Sequence, residues 1–307
     1  MKKVLVATDK PFAKVAVDGI RKVVTDAGYE LVMLEKYTEK SDLLTAVSDV
    51  DAVIIRSDIA DKEVLEAGKH LKIVVRAGAG YDNIDLEAAT NNNIVAMNTP
   101  GQNSNAVAEL VFGMLVLMAR NNYNGSSGTE LRGKKIGIHA YGNVGHYVAK
   151  IAFGFGMEVY AFDPFVKKEA MEADGVKVVS SVEELYATCQ YVSLHIPATA
   201  QTKNSINFEL LSKMPKGATL INTARKEVIN EEGLLKMFAE RVDFRYVSDI
   251  EPACKGEIVE KFSGRFFFTP KKMGAQTDEA NINAGLAAAH QIVNFLEKGD
   301  ISCKVNK

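Results

Sequence analysis

A chain of 307 residues, 47% of them hydrophobic and 25% charged, carries more apolar mass than one core usually gathers and predicts two domains. The 37 Lys and Arg against 39 Asp and Glu leave a net charge of −2, which excludes a nucleic-acid partner held by basic excess. Three scattered cysteines, Cys189, Cys254 and Cys303, form no Cys-x-x-Cys and suit reduced thiols better than a disulfide framework.

Read from the start, Lys2 and Lys3 are followed by only four apolar residues, which predicts a first buried strand rather than a secretory leader. Short Val- and Ile-rich runs then recur at 4–7, 52–56, 73–76, 94–97, 136–139, 158–162, 176–179, 191–196, 218–222, 246–250 and 265–269. Most are apolar throughout rather than alternating, as parallel strands covered on both faces are. With helical stretches between them they predict an α/β fold. One open sheet of about eleven strands is near the size limit, so two doubly wound parallel sheets are expected. The chain breaks at Asn98-Thr99-Pro100-Gly101. The following stretch, 106–120, reads as a helix that is apolar nearly all round, which predicts burial between domains or subunits and hence a homodimer. The longest apolar run, 110–119, is half of what a membrane span needs. No membrane is expected, and the location expected is cytoplasmic. The stretch 121–128, NNYNGSSG, is the most loop-like.

The strongest local signal is IGIHAYGNVG at 136–145, a strand running into a helix. It reads as a dinucleotide fingerprint, Ala140-x-Gly142-x-x-Gly145, in which alanine replaces the first glycine. Gly142 lets the backbone approach a pyrophosphate, Gly145 lets helix and strand pack closely, and the helix start offers unpaired N–H groups to the anion. Asp163 ends the next strand 18 residues after Gly145. A carboxylate there accepts from ribose hydroxyls and repels a 2′-phosphate, favouring NAD over NADP. Arg56 and Arg76 end apolar strands where loops would meet a ligand. Arg56 also reads, less interestingly, as a surface cation paired with Asp58. The five histidines have no metal-ligand spacing, so no metal is expected.

Further segments resemble the D-2-hydroxyacid dehydrogenase family and, within it, the D-3-phosphoglycerate dehydrogenases. They are VRAGAGYDNID (75–85), NTPGQNSNAVAEL (98–110), LRGKKIG (131–137), HIPATAQT (195–202) and LINTAR (220–225). The resemblance implies a flavodoxin-like substrate-binding domain (1–98 and 285–307) and a Rossmann-type NAD-binding domain (99–284), with the active site between them. It implies cofactor contacts from Gly142, Asn143, Val144, Gly145, Asp163, His195, Pro197, Thr202, Thr223, Ala224 and Asp249. It implies substrate contacts from Arg56, Ser57, Arg76, Gly78, Ala79, Gly80 and Asn103. Arg225 matches the family's catalytic arginine, whose planar cation clamps carboxylate and keto oxygen. Glu251 matches the glutamate that tunes the proton carrier. The family's histidine is missing: Thr269-Pro-Lys-Lys-Met-Gly274 puts Lys271 or Lys272 in its place, depending on the end from which one counts. The activity implied is NAD-dependent oxidation of the small-molecule substrate 3-phosphoglycerate, an early step of serine biosynthesis. The alternatives are a glyoxylate, hydroxypyruvate or other 2-ketoacid reductase, or an NAD-sensing binding module of low turnover.

Overall fold

In the computed structural model, which describes Met1–Lys307, the apolar runs form strands and the stretches between them helices. The chain divides into two units: Met1–Asn103 joined by Gln276–Lys307, and Ser104–Ala275. The first unit begins with β1 (Lys3–Thr8), α1 (Lys14–Asp26), β2 (Glu30–Glu35), α2 (Lys40–Val47) and β3 (Ala52–Ile55). It continues with α3 (Lys62–Ala67), β4 (Ile73–Arg76), α4 (Leu86–Asn91) and β5 (Val95–Asn98). Its strands are all parallel, in the order β2-β1-β3-β4-β5. That is the flavodoxin-like order, with its switch point between β1 and β3.

The second unit runs α5 (Ser104–Ala119), β6 (Lys135–His139), α6 (Asn143–Gly154), β7 (Glu158–Phe162), α7 (Lys168–Ala173), β8 (Lys177–Val178) and α8 (Val182–Thr188). It goes on through β9 (Tyr191–Leu194), α9 (Phe208–Leu211), β10 (Thr219–Asn222), α10 (Glu231–Glu240), β11 (Arg245–Ser248), α11 (Lys255–Lys261) and β12 (Phe266–Phe268). Its parallel sheet has the order β12-β11-β10-β9-β6-β7-β8. This is the Rossmann order with a seventh strand added, and its switch point lies between β6 and β9. The last helix, α12 (Asp278–Lys298), belongs with the first unit. A boundary at 284/285 would cut that helix; the division falls just ahead of its cap, Thr277, whose side chain accepts from the N–H of Ala280.

Every residue of β3, β9 and β10 is buried. Each sheet has an apolar cluster on either face. A buried Val, Leu or Ile there contributes about 1.5–3 kcal/mol, so the middle strands carry the stability of each unit. The edge strand β2, Glu30-Leu-Val-Met-Leu-Glu35, is missing from the strands expected from the sequence. It is only half covered, and its charged ends shorten the apolar run. The helix α5 also departs from expectation. Asn105, Glu109 and Gly113 form an exposed stripe at i, i+4, i+8, and Leu110, Val116 and Leu117 stay half-buried, so it does not need cover on every side.

The turn from β6 into α6 shows what the fingerprint requires. A Cβ on Gly145 would sit 2.5 Å from the carbonyl oxygen of Ala140, closer than carbon and oxygen can pack. Ala140 itself has φ +79°, a left-handed conformation that costs a non-glycine residue about 1–2 kcal/mol. Ala140→Gly removes that strain at the cost of backbone entropy, a net gain of about 0.5–1 kcal/mol. The melting temperature should rise by about 2 °C, and calorimetry showing a fall would contradict the strain.

Candidate functional site

In the second unit the expected residues gather where the strands end. Ala140 follows β6, Asp163 follows β7, His195 follows β9, Thr223–Arg225 follow β10, Asp249 and Glu251 follow β11, and Lys271 and Lys272 follow β12. Ligands of open α/β sheets bind at such carboxyl ends. Gly142 is the N-cap of α6, no side chain caps this helix, and the space where a Cβ on Gly142 would stand is open. The first-turn N–H groups, on Asn143, Val144 and Gly145, are therefore left to a ligand or solvent. Asp163 accepts from the N–H groups of Tyr141 (2.7 Å), Phe165 (2.8 Å) and Val166 (3.1 Å). Oδ1 takes two of these bonds and Oδ2 one, which leaves an acceptor position on Oδ2 for a hydroxyl. Thr223 Oγ1 is buried without a partner, a state that buried polar atoms rarely keep unless a ligand or water completes them. An uncapped helix, open space before it and an orphan hydroxyl fit a bound dinucleotide.

Beneath this edge lie two histidines. The N–H of His195 donates to the carbonyl of His139 (2.9 Å), and the His195 ring Nε2 lies 3.0 Å from Ser193 Oγ. Burial pushes His139 down to about 4, against the pull of Asp163. Burial and the neighbouring His139 push His195 down to about 3. Both are neutral near pH 7 and add no charge. In the loop after β9, Thr202 Oγ1 donates to the carbonyl of Pro197 (2.5 Å), and the N–H of Thr199 donates to Thr202 Oγ1 (2.7 Å). That loop closes on itself.

Asp249, expected at the cofactor, is buried and faces the next loop. Its carboxylate accepts from the N–H groups of Met273 (2.5 Å) and Gly274 (2.8 Å) and lies 3.2 Å from the Thr269 hydroxyl. The loop so held places Lys272 Nζ 2.9 Å from the carbonyl oxygen of Ala224. Arg225 Nη1 donates to the same oxygen at 3.0 Å. The two lysines left open by the sequence are both exposed and differ in one contact: Lys272 shares an acceptor with Arg225. Glu251 is held by Lys255, four residues on, a pairing that the sequence reading overlooked.

The first unit holds its own cluster at the carboxyl ends of its strands. Arg56 follows β3 at the switch point, with Nη1 donating to the carbonyls of Lys10 (2.7 Å) and Pro11 (3.0 Å) and Nη2 to Asn281 Oδ1 (2.8 Å). Its guanidinium also covers the Phe12 ring. Burial lowers its pKa, against Asp58 and Asp9. The expected alternative, a pair with Asp58, is not what forms. Asp58 accepts instead from the N–H groups of Asp9 and Arg56 and the Tyr37 hydroxyl. Arg76 Nε donates to the carbonyl of Arg56 (3.1 Å), and its guanidinium lies across Gly78, where a Cβ would collide with it. Asn98 steadies this loop through the carbonyl of Ala79 (2.6 Å). Ser57 and Ala79 are exposed, and Gly80 and Asn103 half-buried. Asn281, Asn98 and Asp174, which accepts from the Tyr141 hydroxyl and contacts His146, escaped the sequence reading. Nothing in their spacing marks them.

The neutral histidines set a pH dependence. The unfolded chain takes up their protons near pH 6.5, while the folded chain resists until about pH 4 and 3. Their contribution is complete above pH 6.5 and is lost progressively as pH falls below it. His139→Phe should flatten the fall in melting temperature between pH 7 and 5; an unchanged slope would contradict the buried neutral state.

Comparison with known proteins agrees with this layout. Residues 107–259, within the second unit, match the family described as D-isomer specific 2-hydroxyacid dehydrogenase, NAD binding domain. The chain is 34% identical to D-3-phosphoglycerate dehydrogenase of Methanocaldococcus jannaschii over 280 residues, covering 86% of this chain but only 53% of the relative. It is 34% identical to hydroxypyruvate reductase of Thermotoga maritima over 289 residues, covering 87% of this chain and 92% of the relative. Among solved structures it is similar to NAD+-bound 3-phosphoglycerate dehydrogenase of Entamoeba histolytica. That likeness has a TM-score of 0.87 and 48% identity, over 100% of this chain and 99% of the other.

Proposed function

Because this chain belongs to the D-isomer specific 2-hydroxyacid dehydrogenase family and carries its NAD-binding domain, we propose that it oxidises 3-phosphoglycerate to 3-phosphohydroxypyruvate, with Lys272 as the proton carrier. The observation that carries the reading is the acceptor shared by Lys272 and Arg225 on Ala224. NAD supplies the acceptor for the hydride that leaves C2. The uncapped first turn of α6 would hold its pyrophosphate, Asp163 a ribose, and Thr223 the part near the reacting carbon. Arg225, which makes no ion pair, would clamp the substrate carboxylate and the C2 oxygen. Lys272 Nζ, beside it, would take the hydroxyl proton, and in the reverse direction return it. An ordinary lysine at pH 7 is free base in about one molecule in two thousand, so Lys272 suits donation to a ketoacid better than abstraction unless its surroundings tune it. Arg56 and Arg76, with the backbone N–H groups of Gly78, Ala79 and Gly80, would take the remaining anionic groups of the substrate in the first unit.

A second reading, reduction of hydroxypyruvate, is favoured by the likeness to the Thermotoga maritima reductase, which covers nearly all of that protein. It needs fewer cations. We also propose a homodimer in which the half-buried Leu110, Val116 and Leu117 of α5 meet a second copy.

Lys272→Met should lower kcat on 3-phosphoglycerate by about 10²- to 10⁴-fold, the usual worth of an acid–base group, and leave NAD binding by fluorescence titration intact. Lys271→Met should stay within about threefold, as surface changes remote from a reacting group do. Equal losses in both variants, or none, would dismiss the assignment. Activity that survives Arg56→Ala and Arg76→Ala would shift the substrate to the second reading.

A further inference from the structure

The larger sheet is built at both ends. Where its strands begin, at the edge opposite the site already described, lies a cavity of about 340 Å³, within the range of small-ligand pockets. Its wall includes Lys134 just ahead of β6, Thr219 and Arg245 at the first positions of β10 and β11, and Arg265 just ahead of β12. Thr219 and Arg245 are partners in register. Tyr246 pairs with Phe266, so Arg245 and Arg265 stand side by side at the start of the next pair. Like charges at neighbouring positions destabilise a sheet.

Neither forms an ion pair, and Asp243 acts on Arg265 only through space. Arg245 donates to the carbonyl of Met118 (2.7 Å) and to Asn121 Oδ1 (3.0 Å). Arg265 donates to the carbonyls of Arg241 (2.8 Å) and Phe238 (2.9 Å) and lies over the rings of Phe238 and Phe262. Lys134 donates to the Thr129 hydroxyl (2.6 Å). Neutral acceptors aim these three cations and leave their charge in place. The one carboxylate in the wall, Asp243, is gripped by Arg241 through two bonds of 2.9 and 2.7 Å and by the N–H of Gly217. Asp243 is therefore already spent. Beside Arg245, Asn121, Asn122 and Tyr123 all have positive φ, +52°, +55° and +53°. Asn121 is fixed there by Ser126 and Ser127 as well as by Arg245. A run of left-handed residues stores strain of about 1–2 kcal/mol each, and such strain tends to collect where ligands are clamped.

We propose that this cavity binds a small multivalent anion, a phosphate- or carboxylate-bearing metabolite, separately from the cofactor edge. Lys134, Arg245 and Arg265 supply the charge, and the hydroxyls of Thr129 and Thr219 the neutral donors.

The test is isothermal titration of inorganic pyrophosphate into the full chain saturated with NADH, so that the start of α6 is filled. Binding should weaken at least tenfold in Lys134→Met and in Arg245→Gln and stay unchanged in Arg56→Gln. Lys134 makes a single hydroxyl contact, so its variant keeps the test valid if Arg245→Gln fails to fold. Isotherms unchanged in Lys134→Met, or weakened only in Arg56→Gln, would overturn the proposal. So would an Arg245→Gln variant that binds pyrophosphate normally but sediments as a smaller species, which would give the cavity to a second copy of the chain.

Discussion

A carboxylate taken out of water must find donors, and Asp249, 1% exposed at the end of β11, finds them all in one neighbouring loop. Its two strong bonds are to the N–H groups of Met273 and Gly274, so the chain leaving β12 cannot swing away without stranding a buried charge, a loss of several kcal/mol. Gly274 is tied into the same contact, because a Cβ there would fall 2.8 Å from Asp249 Oδ2. The Thr269 hydroxyl completes the loop from its other end by donating to the carbonyl of Lys271 (2.7 Å). With both ends pinned, Lys272 reaches across to β10 and rests on the carbonyl that Arg225 uses. One buried acid thus anchors the loop whose Lys272 shares a carbonyl with the arginine.

The same device recurs at several of the arginines singled out above. Arg56, Arg225, Arg245 and Arg265 are each directed by carbonyl groups. A carbonyl fixes the direction of a charged group with a charge-assisted hydrogen bond and does not cancel its charge. A carboxylate partner would do both, and would have to be displaced before an anionic ligand could enter. The histidines work in the opposite sense. Neutral near pH 7, buried His139 and half-buried His195 lie at the cofactor edge without adding to its field, and the thiol of Cys189, pushed up to about 12 by burial, is equally silent. The positive potential is left to side chains that lie at the ends of the strands.

Much of this layout could be read before any coordinates, and the parts that could not have physical reasons. The fingerprint was legible because its geometry admits so few residues. Gly145 has a carbonyl against it, and even the alanine at 140 announced a position of unusual φ. Buried strands such as β9 and β10 were legible because both faces need apolar side chains. The edge strand β2 was not, since one covered side requires only a short apolar run. Hydrogen-bonded partners were the least legible. Asp58 could serve Arg56 as a counterion or serve backbone N–H groups, and only the fold makes it do the second. Asn281 lies 225 positions from Arg56, a distance at which no local pattern speaks. The choice between Lys271 and Lys272 hung on one extra residue in a loop, and the bonds from Asp249 to that loop, which bring Lys272 to the carbonyl of Ala224, follow no local pattern.

Whether Lys272 does the work of the absent histidine, as proposed, is tested most directly by a chemical swap at that position. The pH profile of kcat for 3-phosphoglycerate oxidation should be measured for the unaltered chain and for Lys272→His. The rate should climb toward alkaline pH in the unaltered chain, with the inflection moved to near pH 6.5, the ordinary value of a histidine, in the variant. Two profiles with the same inflection would contradict the proposal, because the proton would then be carried by some other group.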